Sequence, residues 1–363
     1  MSGVARPPGA RRPLPWLAPL GSLYLALSRL RNLLYDRRLL RQERVPVPVV
    51  SIGNVVAGGT GKTPLVAWIA AELAERGARV AVVSRGYGGR RPVEPLLVAR
   101  DGALLVEPDL AGDEPAFLAT RPGVSMVVVG RDRVEAARLA AEEGAGIVLL
   151  DDGFQHRRLA RDVDLVLLDW RDPLGGGRGL PAGWLREPPS ALRRADVIVL
   201  TRAPRELADR PAPLGAGDLP PAVRRLLAGM PSPPPVLAAA HVPSGLRHPD
   251  GRREGPERLR GRRVLPVAAI ARPESFLATL EELGAEPADP LFWPDHHRFT
   301  ATDARLIRDA AEGGLLVVTT AKDALRWHPD APPPAVLELG IHLGAGGFLL
   351  ERLQVAATGG GGR

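Results

Sequence analysis

The 363-residue chain contains no cysteine, so neither a disulfide framework nor a thiolate-bound zinc site is open to it, and a reducing compartment suits it. Aromatic residues make up only 4% of the chain, too few to line a nucleic-acid groove with stacking platforms. Lysine is nearly missing as well: of 48 basic residues only Lys62 and Lys322 are lysine. No apolar run reaches the roughly eighteen residues that a spanning helix needs. The proline- and arginine-studded start also lacks an apolar stretch followed by a small-residue cleavage site, which argues against a secretory signal. The formal charge of +7 is local, because residues 1–44 hold nine arginines against Asp36 and Glu43, and the remainder is balanced. Such confinement excludes an extended basic face for nucleic acid.

What is present centres on residues 47–68, VPVVSIGNVVAGGTGKTPLVAW. The β-branched run Val47, Val49, Val50 and Ile52 suits a buried strand, and Leu65, Val66, Trp68 and Ile69 follow helical spacing. Between them Gly58, Gly59, Thr60 and Gly61 form a loop able to take positive φ and to approach a ligand closely. Lys62 and Thr63 then open the helix, whose N-terminal amides and dipole attract phosphate. This order of strand, glycine loop, Gly-Lys-Thr and helix is that of a P-loop, although Val56 stands where the strict pattern has glycine. In a chain that uses arginine wherever charge alone suffices, a lysine after Gly61 marks the need for a compact ammonium at a β/γ-phosphate.

Residues 1–45 carry Trp16, Leu17, Leu20, Leu23, Tyr24, Leu27, Leu30, Leu33 and Leu34 at three- and four-residue spacing, with Arg29, Arg31, Arg37, Arg38 and Arg41 between or after them. Such a helix either lies in a membrane interface or packs as an ordinary amphipathic helix on its own domain. Downstream, residues 79–84 predict a second buried strand, ending in Arg85 and the glycine-rich GYGG. Asp113, in GDEP, is read as a helix N-cap with Pro115 in the first turn. Residues 124–129 and 146–150 predict two further strands around a helix at 132–143. The second strand runs into Asp151 and Asp152, the Walker-B arrangement in which a carboxylate at a strand tip holds the magnesium that bridges nucleotide phosphates.

Further apolar strands at 164–169 and 196–201 imply an α/β fold: a P-loop NTPase-like, mostly parallel sheet flanked by helices. The stretch 175–188, GGGRGLPAGWLREP, is too rich in glycine and proline for regular structure, and reads as a substrate-facing or disordered loop. Residues 203–235 read as a Pro/Arg-rich linker or surface excursion with one short helix, so the P-loop domain spans 46–230 and a second, smaller α/β domain spans 231–363. The glycine-rich end, 358–363, is expected to be loose.

Taken in order, SIGNVVAGGTGKTP, SRGYGG, GDEP, DDGFQHRRLARD, LPAGWLREP, ARPESF and PDHH resemble the tetraacyldisaccharide 4′-kinase family, the lipid A kinases of Gram-negative bacteria. The resemblance implies transfer of the γ-phosphate of ATP, with Mg2+, to the 4′-hydroxyl of a tetraacyl glucosamine disaccharide 1-phosphate at the cytoplasmic face of the inner membrane. It implies that Asp113 is the catalytic base, assisted by His296 of the Asp-His motif. Asp151 and Asp152 become the magnesium-linked pair together with Thr63, Asp152 being counted among the catalytic residues. Arg85, His156 and Glu187 become supporting active-site positions. Partners would be the acylated disaccharide and, through the N-terminal segment, the membrane surface, with no nucleic acid. A rival reading, a P-loop ATPase acting as a switch, would carry a signature lysine where this loop has Ala57.

Overall fold

The computed structural model describes residues 14–86, 94–270, 273–295 and 297–359. Within it the chain forms two units, one of Pro13–His241 with Ile341–Arg363 and one containing Val242–Gly340.

The first unit is built on strands β1 (Val49–Asn54), β2 (Val80–Ser84), β3 (Leu96–Arg100), β4 (Ala103–Leu104), β5 (Val124–Val129), β6 (Ile147–Asp151), β7 (Val163–Asp169), β8 (Val197–Thr201) and the start of β9 (Val236–Arg247). Their order is β9-β8-β7-β1-β6-β2-β5-β3-β4. Pairing is parallel from β9 to β5, and β3 and β4 are antiparallel. All six residues of β1 are buried, as expected for a strand covered on both faces. Two core clusters divide those faces. On one, Ala137 and Ala140 of a helix pack with Met126, Val128, Val148 and Leu150; on the other, Val166, Leu168, Ile198 and Leu200 pack with Val223 and Leu227.

Up to β9, the helices of this unit are α1 (Ala18–Asp36), α2 (Lys62–Glu75), α3 (Pro108–Ala111), α4 (Asp113–Ala119), α5 (Arg133–Glu142), α6 (Arg205–Ala208) and α7 (Pro221–Ala228). Asp132 caps α5 by accepting from the Val134 amide at 3.0 Å. The stretch 203–235 is more than a linker: α7 is amphipathic, and its apolar stripe is part of the core. The glycine- and proline-rich stretch 175–188 is likewise packed rather than loose, with Ala182, Leu185 and Glu187 all at most 1% exposed.

In the second unit, parallel β11 (Arg263–Ala268), β14 (Leu316–Thr320) and β15 (Ala335–His342) form the sheet, and β12 (Glu286–Pro287) and β13 (Leu291–Phe292) extend it beside β11. The far end of β9 makes an antiparallel hairpin with β10 (Arg253–Glu254). Helices α8 (Pro273–Glu282) and α9 (Ala301–Ala310) supply Phe276, Leu280, Ala304 and Ile307 to its two cores. After β15 the chain rejoins the first unit as α10 (Gly346–Gly359), a helix whose start the glycines around 346 had concealed in the sequence; of the tail expected to be loose, 358 and 359 are helical and 360–363 lie outside the described residues.

Candidate active site

Strand order decides what meets at the site. β1 lies between β6 and β7, so the glycine loop after β1 emerges beside the C-terminal tip of β6, where open parallel sheets bind their ligands. Gly53 makes this approach possible. A Cβ there would lie 2.6 Å from the Phe154 Cβ, so only glycine lets the turn after Asp152 settle on β1.

Lys62 begins α2 directly after Gly61, which caps the helix with φ of 78°. Its Nζ lies 3.4 Å from Asp152 Oδ1, and Arg186 Nη1 holds the other carboxylate oxygen at 2.7 Å. Asp152 itself sits at φ 54°, a left-handed conformation that aspartate tolerates better than most residues. Burial pushes its pKa up, but Lys62 and Arg186 outweigh that and hold it below the usual carboxylate range. Asp151 behaves oppositely. Burial, reinforced by the charge of Glu114 and opposed by Lys62, raises its pKa to about 7. Two adjacent carboxylates are thus driven apart, one firmly ionised and one poised.

Asp151 Oδ1 is buried without a hydrogen-bond partner, while Oδ2 accepts from Ser84 Oγ at 3.5 Å. Together with the buried Thr63 they form a hard-oxygen donor set, which fits a magnesium ion. Among the described residues no group of three or more His, Cys, Asp or Glu could hold a metal alone.

The remaining predicted positions are arranged around this centre. Asp113 is not an N-cap: Gly112, at φ 87°, takes that place, and Asp113 is the first residue of α4. The left-handed turn between α3 and α4 is one that glycine adopts without strain, and it moves the aspartate into the helix. The influence of Glu114 on Asp151 places the start of α4 near the β6 tip. Arg85 follows β2 and is exposed. His156 is depressed to about 4, chiefly by burial and then by the Arg133 charge, so it is neutral at physiological pH. Glu187 is buried and accepts from Asn32 Nδ2 of α1 at 2.7 Å and from Arg194 Nη1 at 2.9 Å. His296 lies outside the described residues.

Several residues of this neighbourhood were not singled out from the sequence. Arg186, within LPAGWLREP, reaches Asp152 because the 175–188 loop runs beside the P-loop, with the Ala57 amide donating to Trp184 O and the Arg186 amide to Val55 O. Val56, the departure from the strict pattern, pairs with Leu185 and packs where a Cβ on Gly175 would fall. Asn54, Thr201 and Arg202 contact the glycine loop from strand ends and His241 from within β9, and no sequence signal marked them.

The model of the family described as tetraacyldisaccharide-1-P 4′-kinase matches residues 14–353. The chain belongs to that family. It is 50% identical over 312 residues to the tetraacyldisaccharide 4′-kinase of Anaeromyxobacter dehalogenans (strain 2CP-C), covering 84% of this chain and 79% of that protein. With the tetraacyldisaccharide 4′-kinase of Geobacter sulfurreducens it shares 40% identity over 312 residues, 85% of this chain and 83% of the relative. The crystal structure of the "apo" form of LpxK from Aquifex aeolicus in complex with ATP matches with a TM-score of 0.76 and 30% identity, over 94% of this chain and 98% of that one. As a member of the tetraacyldisaccharide 4′-kinase family the chain is a kinase, and the P-loop α/β architecture expected from its sequence is the one it has.

Proposed function

We propose that the chain transfers the γ-phosphate of ATP to the 4′-hydroxyl of a tetraacyl glucosamine disaccharide 1-phosphate, a step of lipid A biosynthesis, at the cytoplasmic face of the inner membrane. The observation that carries the reading is the meeting of Lys62, Asp151, Asp152 and Arg186 at the adjoining ends of β1 and β6. Phosphoryl transfer asks chiefly for positioning and charge neutralisation. The loop amides from Gly58 to Thr63 bind the phosphates, and the Lys62 ammonium leaves Asp152 to meet charge developing on the β,γ-bridging and γ oxygens. A magnesium ion held by Thr63, Asp151 and Asp152 would supply further neutralisation there. Asp113 orients the sugar hydroxyl and accepts its proton as the new O–P bond forms and the bond to the bridging oxygen breaks, releasing ADP. His296 assists at the acceptor side, and Arg85, His156 and Glu187 support the site.

The N-terminal helix meets the lipid. Gly21 and Asn32 are buried on its inner face, where the Gly21 backbone closely approaches Gly179 O. Trp16, Leu20, Leu23, Leu27 and Leu30 lie along one exposed stripe, between 52% and 74% accessible. An outward-facing leucine stripe with arginines at its end suits an interfacial helix. No described helix is long and apolar enough to cross a membrane. Incubation with labelled ATP, magnesium and the tetraacyl disaccharide 1-phosphate tests the proposal. Label at the 4′-position is the expected result, and ATP hydrolysis with no lipid product would overturn it.

A further inference from the structure

The glycine loop is tied down by its carbonyls, in sequence. Gly58 O accepts from Asn54 Nδ2 at 3.4 Å, Gly59 O from Arg202 Nη2 at 2.9 Å and Thr60 O from Thr201 Oγ1 at 2.7 Å. Asn54 Nδ2 also donates to Thr60 Oγ1 at 2.9 Å. In a planar trans peptide the C=O and the following N–H point in opposite directions. Fixing these oxygens against β8 and the end of β1 therefore turns the amides of Gly59, Thr60 and Gly61 the other way, as successive donors of an anion-binding nest.

Arg202 is committed to this task. Its guanidinium is ion-paired through Nη1 with Asp169 at the end of β7, and its backbone is held at φ 55°, a conformation rare for a side chain of this size. Thr201 is fully buried, so its hydroxyl serves no solvent. The β8 end thus supplies both anchors, one from each of two consecutive residues.

We infer that Thr201 and Arg202, with Asn54, are positioning residues for nucleotide: they hold the phosphate loop in its anion-binding form before the polyphosphate arrives. The inference rests on the nucleotide reading of the loop given above. A glycine-rich loop without the frame must lose its conformational freedom on binding, which weakens affinity. The effect falls on the nucleotide and leaves the lipid acceptor untouched.

The test uses the full chain, calorimetric titration with magnesium and the β,γ-imido analogue of ATP, and steady-state kinetics in both substrates. Thr201→Val, which keeps the shape and removes the donor, should weaken analogue binding about tenfold, as one lost ordering hydrogen bond would. The KM for ATP should rise in proportion and the KM for lipid should stay within about twofold. Thr201→Ser restores the hydroxyl and should recover affinity to within about threefold of wild type, a rescue that a merely structural role would not give. Arg202→Ala should show the same split, and it decides the matter if Thr201→Val does not fold. Thr201→Val binding as wild type does, or valine and serine variants equally impaired, overturns the frame while leaving the nucleotide site standing. A wild type that does not bind the analogue overturns both.

Discussion

Gly61→Ala is the substitution whose cost the structure sets most directly. An added Cβ would lie 2.5 Å from both Cε1 and Nε2 of His241, and the backbone there has φ of 78°. The left-handed conformation costs a non-glycine residue about 1–2 kcal/mol. Forcing a methyl against a ring whose Nε2 is buried adds an overpacking cost of about 1–3 kcal/mol. The sum, roughly 2–5 kcal/mol, is a large part of the stability of a typical domain. The two contributions separate in a four-protein cycle of wild type, Gly61→Ala, His241→Ala and the double variant. With the ring removed only the backbone cost remains, so the coupling energy should be about 1–3 kcal/mol. Urea denaturation of the four proteins measures it, with nucleotide titration alongside to follow the loop. An alanine at 61 that costs the same with and without His241 would refute the packing argument.

Asp113→Ala should lower turnover by about 10²–10⁴-fold, the usual worth of a general base, with the affinity for an ATP analogue within threefold of wild type; normal turnover would leave Asp113 as a first-turn helix charge. Glutamates at Leu23 and Leu27, both on the exposed stripe of α1, should abolish sedimentation with anionic vesicles while phosphorylation of detergent-dispersed lipid persists. Retained vesicle binding would move the membrane contact elsewhere. Burial, aided by the Arg202 charge and opposed by Asp169, lowers His241 to about 4. An unfolded imidazole titrates near 6.5, so between about pH 6.5 and 4 the unfolded chain takes up a proton that the folded chain refuses, and stability falls as pH falls. His241→Gln removes that linkage. Its denaturation midpoint should rise relative to wild type as pH drops from about 7 to 4.5, and a constant difference would contradict the assignment.

Local order along the chain was readable because it is encoded within a few residues. β-branched runs marked β1, β2, β5 and β6, helical spacing marked α2, and the passage from Ile147–Asp151 into a second aspartate placed an acidic strand tip downstream of the glycine loop. Where periodicity was masked by composition, the reading fell short: the proline-dense 203–235 stretch showed one short helix but not that Val223 and Leu227 of α7 belong to the core, and the glycines around 346 hid the start of α10. Asp113 slipped from cap to first helical position because the cap was a glycine, whose role depends on φ alone.

The sequence by itself therefore determined the α/β alternation, the phosphate loop and the acidic residues that could serve it. Only the tertiary structure decided that Arg186 clamps Asp152, that Arg202 and Thr201 hold the loop carbonyls across more than 140 positions, and that α1 buries Asn32 on Glu187 while turning its leucines outward. The reason is physical. Periodicity specifies which face of an element is apolar but not which element will cover it, and these contacts exist only once the sheet has put β1 between β6 and β7, with β8 next in line.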